Sequence, residues 1–264
     1  MQGRSVVLFA APQVLTASRL VAGTAALIAA IDGRLYMAAT LICLGAVTDG
    51  LDGFLARRFD AASAFGALFD YFADYVCYIV APWAMARELL GPGPNVLEEA
   101  ALAVPLLTAA VRYARNGLIV ADPRRQAKDG GVPGLGTIYF AFLMVAAVFL
   151  DARELLGASR FATALPVFIV AFSILMVSPI RYPKLAHFHG AWPVVLALVA
   201  IMPFFATKPL AAAMFLIGLL YPLLAPVLIN GVRPSFYVKR KKRVRPHFYV
   251  LRKSRRADSR VRAD

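Results

Sequence analysis

Four aspartates stand out in this chain of 264 residues because they fall within or beside stretches that are otherwise apolar. Asp49 and Asp52 are three residues apart, and Asp70 and Asp74 are four apart, so each pair shares one face of a helix. A polar break at residues 57–60 lets the chain reverse between the pairs. We therefore expect an antiparallel helical hairpin that brings all four carboxylates together near one end.

The chemistry of such a cluster follows from its charge. Carboxylates in a membrane cost several kcal/mol unless they are paired, bound to metal or exposed to water. Hard divalent cations such as Mg²⁺ or Mn²⁺ take oxygen ligands, and two of them would suit a diphosphate substrate. Gly50, Gly53 and Gly66 leave room for a ligand or a neighbouring backbone, and Arg57 can make a forked contact with phosphate. The residues alone predict a membrane-embedded, two-metal, phosphate-handling site.

The elements that position these residues are predicted from composition and hydropathy. With 60% hydrophobic and 17% charged residues, the chain is too apolar for an ordinary soluble enzyme. Eight stretches approach the roughly 20 apolar residues that a spanning helix needs. They are residues 14–31, 36–57, 64–87, 99–120, 133–150, 161–179, 190–207 and 209–230. We predict an all-α, polytopic membrane helix bundle of about eight spans, or seven if the weak break at Lys208 and Pro209 is only a bend.

Charge predicts the orientation and the domain boundary. Residues 231–264 hold 13 Lys and Arg and two Asp, so they carry +11 of the total charge of +14. With eight spans and a cytoplasmic N-terminus, 24 of the 29 Lys and Arg lie on the cytoplasmic side. The positive-inside rule therefore predicts both termini in the cytoplasm. We expect a multi-pass protein of the cytoplasmic (inner) membrane whose active site faces the cytoplasm. We predict a membrane-embedded domain over 1–230 and a basic cytoplasmic tail over 231–264.

The spacing of the acidic region resembles the signature of a known family. The pattern Asp49-x2-Asp52-Gly53-x2-Ala56-Arg57-x8-Gly66-x3-Asp70-x3-Asp74 matches that of the CDP-alcohol phosphatidyltransferases at every position. The resemblance implies at least six helices around a polar cavity open to the cytoplasm. It also implies transfer of a phosphatidyl or related group from a CDP-linked donor to an alcohol, with release of CMP, and makes a homodimer an expectation.

Roles carry over from the resemblance residue by residue. Asp49, Asp52 and Asp70 are implied metal ligands, and Asp74 is implied both to bind the second metal and to act as general base for the acceptor hydroxyl. The resemblance also implies a CDP pocket. Its residues would be Gly53, Ala56, Arg57 and Gly66.

Other segments bear on the acceptor alcohol. The stretch after Asp74, the run Arg112-Tyr113-Ala114-Arg115-Asn116 and the run from Met176 to Pro183 resemble the membrane-integral bacterial phosphatidylserine synthases. This implies CDP-diacylglycerol and serine as substrates. Cations and amides near the cytoplasmic ends could hold the serine carboxylate or the donor phosphate. These candidates are Arg112, Arg115, Asn116, Lys128 and Arg181.

Several alternatives remain open at this point. Phosphatidylcholine synthases share the signature, and choline would need an aromatic cage. Its candidates are Tyr71, Phe72, Tyr75, Tyr78, Tyr113 and Tyr139. The opening Pro12-x2-Leu15-Thr16-x2-Arg19 resembles enzymes that use glycerol 3-phosphate, and inositol is a further acceptor. A transporter would also place carboxylates in spans, and Arg112, Arg115 and Arg181 could simply be anchors at the membrane boundary.

The basic tail has its own alternatives. It could be a disordered cytoplasmic segment, or it could attach to anionic membrane lipids through cations interleaved with aromatic residues. RNA binding by the tail is a further alternative. The rest of the chain carries a net charge of only +3, so we expect no nucleic-acid partner for it.

Overall fold

The computed structural model describes residues 2–58, 63–121 and 132–182, together with residues 209, 213, 216 and 220. The described chain is almost entirely helical. In chain order its elements are α1 (Gln2–Ile31), α2 (Leu35–Arg58), α3 (Ala64–Tyr75), a π-helical segment (Val76–Val80), α4 (Ala81–Leu90), α5 (Val96–Ala121), β1 (Val132–Pro133), α6 (Thr137–Phe149), α7 (Ala152–Leu156), α8 (Ala158–Val177) and β2 (Arg181–Tyr182).

The first six predicted stretches coincide with helices of the structure, and α3, the π segment and α4 form one continuous helix over Ala64–Leu90. By length and composition, four helices of the described part could cross a membrane. They are Pro12–Ile31, Leu35–Leu55, Ala64–Leu90 and Ala158–Val177. The stretch 190–207 lies outside the described residues, as does nearly all of 209–230, so the span count stays a prediction. Several long apolar helices in one chain are typical of a multi-pass membrane protein.

Two helices that follow predicted breaks between apolar stretches begin with side-chain capping hydrogen bonds. At the start of α3, the backbone N–H of Gly66 donates to Ser63 Oγ at 2.9 Å. Before α5, Asn95 and Glu98 exchange hydrogen bonds between side chain and backbone at 2.9 and 2.8 Å. Such reciprocal bonds satisfy amide groups that the first turn of a helix leaves unpaired. The breaks predicted before these helices are therefore real helix boundaries.

The first helix lies at the centre of the site-forming half of the bundle. It packs most extensively against α2 and also contacts α3, the π segment and α4, whereas α2 and α3 make little direct contact with each other. Close approach depends on glycine. A Cβ on Gly23 of α1 would lie 2.8 Å from Cys77 Cα, and one on Gly45 of α2 would lie 2.5 Å from Cys77 Sγ. Small residues allow helix backbones to approach closely in membranes, and here they bring two helices against the π segment just after Asp74.

The described part is all-α apart from one short pair of extended segments. β1 and β2 form a two-residue antiparallel pair in which Val132 lies opposite Tyr182. Because this extended segment precedes it, α6 begins at Thr137, four residues after the predicted start of 133–150. Gly134 has φ +86°, and a Cβ there would overlap the Met176 carbonyl, so glycine is required in this turn.

The described helices and strands all belong to one compact unit, Met1–Gly231. The predicted basic tail at 231–264 lies outside the described residues. The domain boundary therefore stays a prediction.

Candidate active site

The aspartates of the two predicted pairs lie around one buried guanidinium. Asp49 comes from the second half of α2, and Asp70 and Asp74 come from α3. These three residues each offer a carboxylate oxygen, and the three oxygens lie within 4.8 Å of one another. The carboxylates therefore lie close together, as expected. They are held there by α1, which packs against both helices, and not by direct packing of α2 on α3.

Arg19 of α1 is the central cation of this cluster, and its side chain is 0% exposed. Its Nη1 contacts Asp49 Oδ1 and lies 3.0 Å from Asp74 Oδ1. Its Nη2 contacts Asp70 Oδ1 and lies 3.8 Å from Asp52 Oδ2. A planar fork can reach several carboxylates at once, so a single side chain links aspartates from two other helices.

No role in the site was predicted for Arg19. Arg19 and Arg112 are among the 24 Lys and Arg that the eight-span topology places on the cytoplasmic side, and both side chains are buried in the bundle. The cytoplasmic placement of the termini stays a prediction. The sequence feature that could have indicated this role is the position of Arg19 inside the apolar stretch 14–31, because a charge in such a stretch needs a partner.

Asp52 lies at the edge of the cluster rather than among the three convergent oxygens. Its Oδ2 lies 2.9 Å from Thr16 Oγ1, one turn of α1 before Arg19. The Asp52 side chain is 8% exposed, against 29% for Asp49 and 36% for Asp70. The Thr16 hydroxyl lies between two acceptors, Asp52 Oδ2 and the Pro12 carbonyl of its own helix at 3.0 Å, and can donate to this most buried of the four aspartates.

The donor set fits hard divalent cations. Four carboxylates against one guanidinium leave a formal charge of −3 if all are ionised. Asp74 Oδ1 is buried, and it has no hydrogen-bond partner of good geometry in the described structure. Convergent, half-buried carboxylate oxygens with excess negative charge are what Mg²⁺ or Mn²⁺ requires. Asp49, Asp70 and Asp74 could hold a cation directly, with Asp52 close beside them.

The residues assigned to a CDP pocket belong to the second half of α2 and the first turn of α3, close in sequence to the four aspartates. Gly53 lies on α2 one residue after Asp52, and Gly66 lies in the first turn of α3, one turn before Asp70. Ala56 and Arg57 belong to the last turn of α2, and their side chains lie outside the described part. The pocket assignment stays a prediction for all four residues.

The predicted acceptor arginines hold the turn between β1 and α6. Arg112 Nη1 donates to the Pro133 carbonyl at 3.2 Å, and Arg115 Nη2 donates to the same carbonyl at 2.7 Å. Arg115 Nη1 also donates to the Val177 carbonyl at 3.3 Å, at the end of α8. Asp74 and Tyr71 are among the groups whose charges act on the buried Arg112 side chain. The two arginines thus share one contact, and Arg115 in addition links this turn to the end of α8.

For the remaining acceptor candidates the described structure shows few contacts. Asn116 is buried, and its Oδ1 has no hydrogen-bond partner in the described structure. Lys128 lies outside the described residues. Only the backbone of Arg181 is described, as part of β2.

Three of the tyrosines proposed for a choline cage, Tyr71, Tyr75 and Tyr113, pack against each other. The ring centroids of Tyr71 and Tyr113 are 5.3 Å apart, and those of Tyr75 and Tyr113 are 6.2 Å apart. The Tyr113 hydroxyl lies 2.7 Å from Thr137 Oγ1, and Phe72 is 70% exposed. An aromatic cage places ring faces around a cation, whereas these rings are in mutual contact.

Comparison with known proteins agrees with the site. A family model described as CDP-alcohol phosphatidyltransferase matches residues 9–175. The chain is 28% identical over 214 residues to the CDP-diacylglycerol–serine O-phosphatidyltransferase of Helicobacter pylori strain 26695, covering 80% of this chain and 88% of that protein. The same identity and coverage hold for that enzyme from strain J99. A match at 48% identity over 46 residues to the CDP-diacylglycerol–glycerol-3-phosphate 3-phosphatidyltransferase of Escherichia coli K12 covers 17% of this chain and 25% of that protein.

Proposed function

This chain belongs to the CDP-alcohol phosphatidyltransferase family, and we propose that it transfers a phosphatidyl group from CDP-diacylglycerol to the hydroxyl of serine, releasing CMP. The family identifies the chain as an enzyme of phospholipid biosynthesis whose substrates are a CDP-alcohol and an acceptor alcohol. The observation that carries the proposal is the convergence of Asp49, Asp70 and Asp74 in an apolar helix bundle.

Serine as acceptor is supported by the extent of the relatives' matches. The likeness to the serine enzymes of Helicobacter pylori runs over most of both chains. The likeness to the Escherichia coli glycerol 3-phosphate enzyme is confined to 46 residues, although its identity is higher. A match over most of both chains bears on the whole reaction, whereas a match over 17% of this chain covers only one segment of it. Glycerol 3-phosphate is the second candidate, because that match and the resemblance of the opening Pro12-x2-Leu15-Thr16-x2-Arg19 both favour it.

Asp74 is the proposed general base. A free alcohol is a poor nucleophile at neutral pH, and a carboxylate within hydrogen-bond reach can take its proton as the new bond forms. An ionised carboxylate has two acceptor oxygens, so one oxygen of Asp74 can bind a cation while the other accepts the hydrogen bond from a serine hydroxyl. The serine oxygen then attacks the β-phosphorus in line, the bond from that phosphorus to the bridging oxygen breaks, and CMP leaves with the electron pair.

Asp49, Asp52, Asp70 and Asp74 are the proposed ligands of two divalent cations, Mg²⁺ or Mn²⁺. Enzymes of this family generally use divalent cations. When bound, the cations would bind diphosphate oxygens and stabilise negative charge on the departing phosphate. The aspartates hold their oxygens in place by contacts with Arg19 and Thr16 from the neighbouring helix. Gly53, Ala56, Arg57 and Gly66 are the proposed CDP pocket.

Arg112 is the proposed partner of the serine carboxylate. Its side chain is buried, and the charge of Asp74 is among those that act on it. A guanidinium can hold a carboxylate through two parallel hydrogen bonds. Arg115 supports this position by fixing the β1–α6 turn to α8. Asn116, Lys128 and Arg181 remain proposed contributors to acceptor or phosphate binding.

The cellular setting is also a proposal. The apolar helices and the family indicate a multi-pass membrane protein. We place it in the inner membrane with the active site facing the cytoplasm, because the Lys and Arg outside the apolar stretches favour that side. A homodimer, and contact of the basic tail with anionic lipids, are further expectations.

An acceptor panel tests the function. Purified protein receives CDP-diacylglycerol and Mn²⁺, with serine, choline, glycerol 3-phosphate and inositol offered separately, and CMP release is measured. The proposal predicts CMP release with serine and background levels with the others. CMP release with glycerol 3-phosphate or choline alone would overturn serine as acceptor, and none with any acceptor would overturn the reaction.

A further inference from the structure

Arg19 occupies the place where the cations of the proposed site would be held. Its side chain is 0% exposed, and both terminal nitrogens contact aspartates. The contacted atoms include Asp49 Oδ1 and Asp70 Oδ1, and Asp74 Oδ1 is 3.0 Å from Nη1. These same three aspartates form the convergent oxygen group. The guanidinium and a metal ion would therefore draw on the same ligand atoms.

The route of the side chain shows that this position is built into the fold. Arg19 lies on the same face of α1 as Thr16, which contacts Asp52, and as Gly23, which packs against Cys77. Its aliphatic stem passes Gly45 of α2, since a Cβ at Gly45 would lie 3.6 Å from Arg19 Cγ. Packing on both sides thus directs the guanidinium into the aspartate cluster.

Charge explains why a resident cation is needed. Several carboxylates brought together in a bundle repel one another, and a charge buried without a partner is strongly destabilising. One guanidinium offsets part of this charge when no metal is present. It also repels an incoming dication, since like charges at such short separation interact strongly even at an effective dielectric constant of about 20.

We propose that Arg19 is a resident counter-cation that holds the aspartates together in the metal-free protein and competes with divalent cations for the oxygens of Asp49 and Asp70. This inference rests on the metal site of the proposed function. Arg19 is then a positioning residue with two effects. It weakens metal binding relative to the aspartates alone, and it stabilises the fold of the site when no metal is bound.

Metal affinity and thermal stability test this role without an activity assay. The full chain in detergent is titrated with Mn²⁺, with free Mn²⁺ followed by electron paramagnetic resonance, and its melting temperature is measured with EDTA and with saturating Mn²⁺. Arg19→Gln should bind Mn²⁺ about tenfold more tightly or better, because it removes a competing charge. Its melting temperature should fall below wild type in EDTA, and most of that deficit should disappear in Mn²⁺.

Two further variants complete the test. Arg19→Lys keeps the positive charge but lacks the forked guanidinium, and it should bind Mn²⁺ with an affinity between those of wild type and Arg19→Gln. Arg19→Lys replaces Arg19→Gln in the test if Arg19→Gln does not fold without metal. Arg34→Gln removes an arginine from an exposed pair with Asp32 and should match wild type in both measurements.

Two results would overturn the inference alone. One is unchanged or weaker Mn²⁺ binding by Arg19→Gln, or by Arg19→Lys where only that variant folds. The other is a melting deficit of equal size with EDTA and with Mn²⁺, which indicates a purely structural arginine. Absence of Mn²⁺ binding by the wild-type protein would instead overturn the metal site of the proposed function, and this inference with it.

Discussion

Thr16 Oγ1 of the first helix lies 2.9 Å from Asp52 Oδ2 of the second, and Asp52 is the most buried of the four aspartates. Arg19, three residues after Thr16, contacts Asp49 and Asp70. Residues three apart share a helix face, so one face of α1 supports aspartates from both halves of the acidic signature. The site is therefore built by three helices, although the acidic signature itself spans only two.

Replacing Thr16 with valine should weaken the site. The change removes a hydroxyl that faces a buried carboxylate, and a hydrogen bond to a charged group is worth about 1.5–3 kcal/mol. We expect the Mn²⁺ concentration for half-maximal CMP release to rise about tenfold or more. Thr24→Val is the matched control. Thr24 Oγ1 donates to the Leu20 carbonyl as Thr16 Oγ1 does to the Pro12 carbonyl, so the two variants differ in the additional contact of Thr16 with Asp52. Equal Mn²⁺ dependence in Thr16→Val and Thr24→Val would argue against the anchoring role.

Asp74→Asn should abolish turnover while leaving the protein folded. The amide cannot accept the serine proton, and loss of general base catalysis typically costs about 10²–10⁴-fold in rate. CMP release and the melting temperature are measured together. Asp32→Asn changes an exposed aspartate paired with Arg34 and should leave both unchanged. Substantial CMP release by Asp74→Asn would refute Asp74 as the base.

The packing of α2 on the π segment gives a paired test of the fold. A Cβ at Gly45 would lie 2.5 Å from Cys77 Sγ, so Gly45→Ala should destabilise the protein by about 1–3 kcal/mol through overpacking. Cys77→Ala removes the sulfur, and the double variant should recover much of the lost stability. Thermal unfolding in detergent measures all three variants. Additive losses in the double variant would contradict this contact.

The two acceptor arginines should give different phenotypes. Arg112→Gln should raise the KM for serine about tenfold or more, because a charged hydrogen-bond partner is lost, with the KM for CDP-diacylglycerol unchanged. Arg115→Gln should chiefly lower the melting temperature, because Arg115 links Pro133 to Val177. Steady-state kinetics and thermal unfolding separate the two effects. Identical changes in both variants would contradict this division of roles.

Sequence predicted the fold where local signals are strong. The spacing of Asp49, Asp52, Asp70 and Asp74 anticipated their meeting, because helical periodicity fixes which residues share a face. The polar and Gly-Pro breaks anticipated the helix boundaries. The role of Arg19 in the site was not predicted, because an arginine in an apolar stretch can be either an anchor at the membrane boundary or a buried ion-pair partner. Only tertiary packing distinguishes these two environments.

Other parts of the structure leave little trace in periodicity. The sequence of the π-helical segment Val76–Val80 resembles that of an ordinary apolar helix. The glycines that approach Cys77 in this segment, Gly23 and Gly45, come from distant parts of the chain. The pairing of Val132 with Tyr182 joins residues 50 positions apart. Long-range contacts of this kind decided the start of α6 and the position of the acceptor arginines.

The most direct test of the central claim follows the oxygen of the acceptor. Purified protein is given CDP-diacylglycerol, a divalent cation and serine labelled with ¹⁸O in its hydroxyl group, and both products are analysed by mass spectrometry. Attack by the serine hydroxyl on the β-phosphorus predicts phosphatidylserine that retains the label and CMP that carries none, with neither product formed in EDTA. Unlabelled lipid product, label in CMP, or undiminished turnover in EDTA would contradict a metal-dependent transfer to the serine hydroxyl.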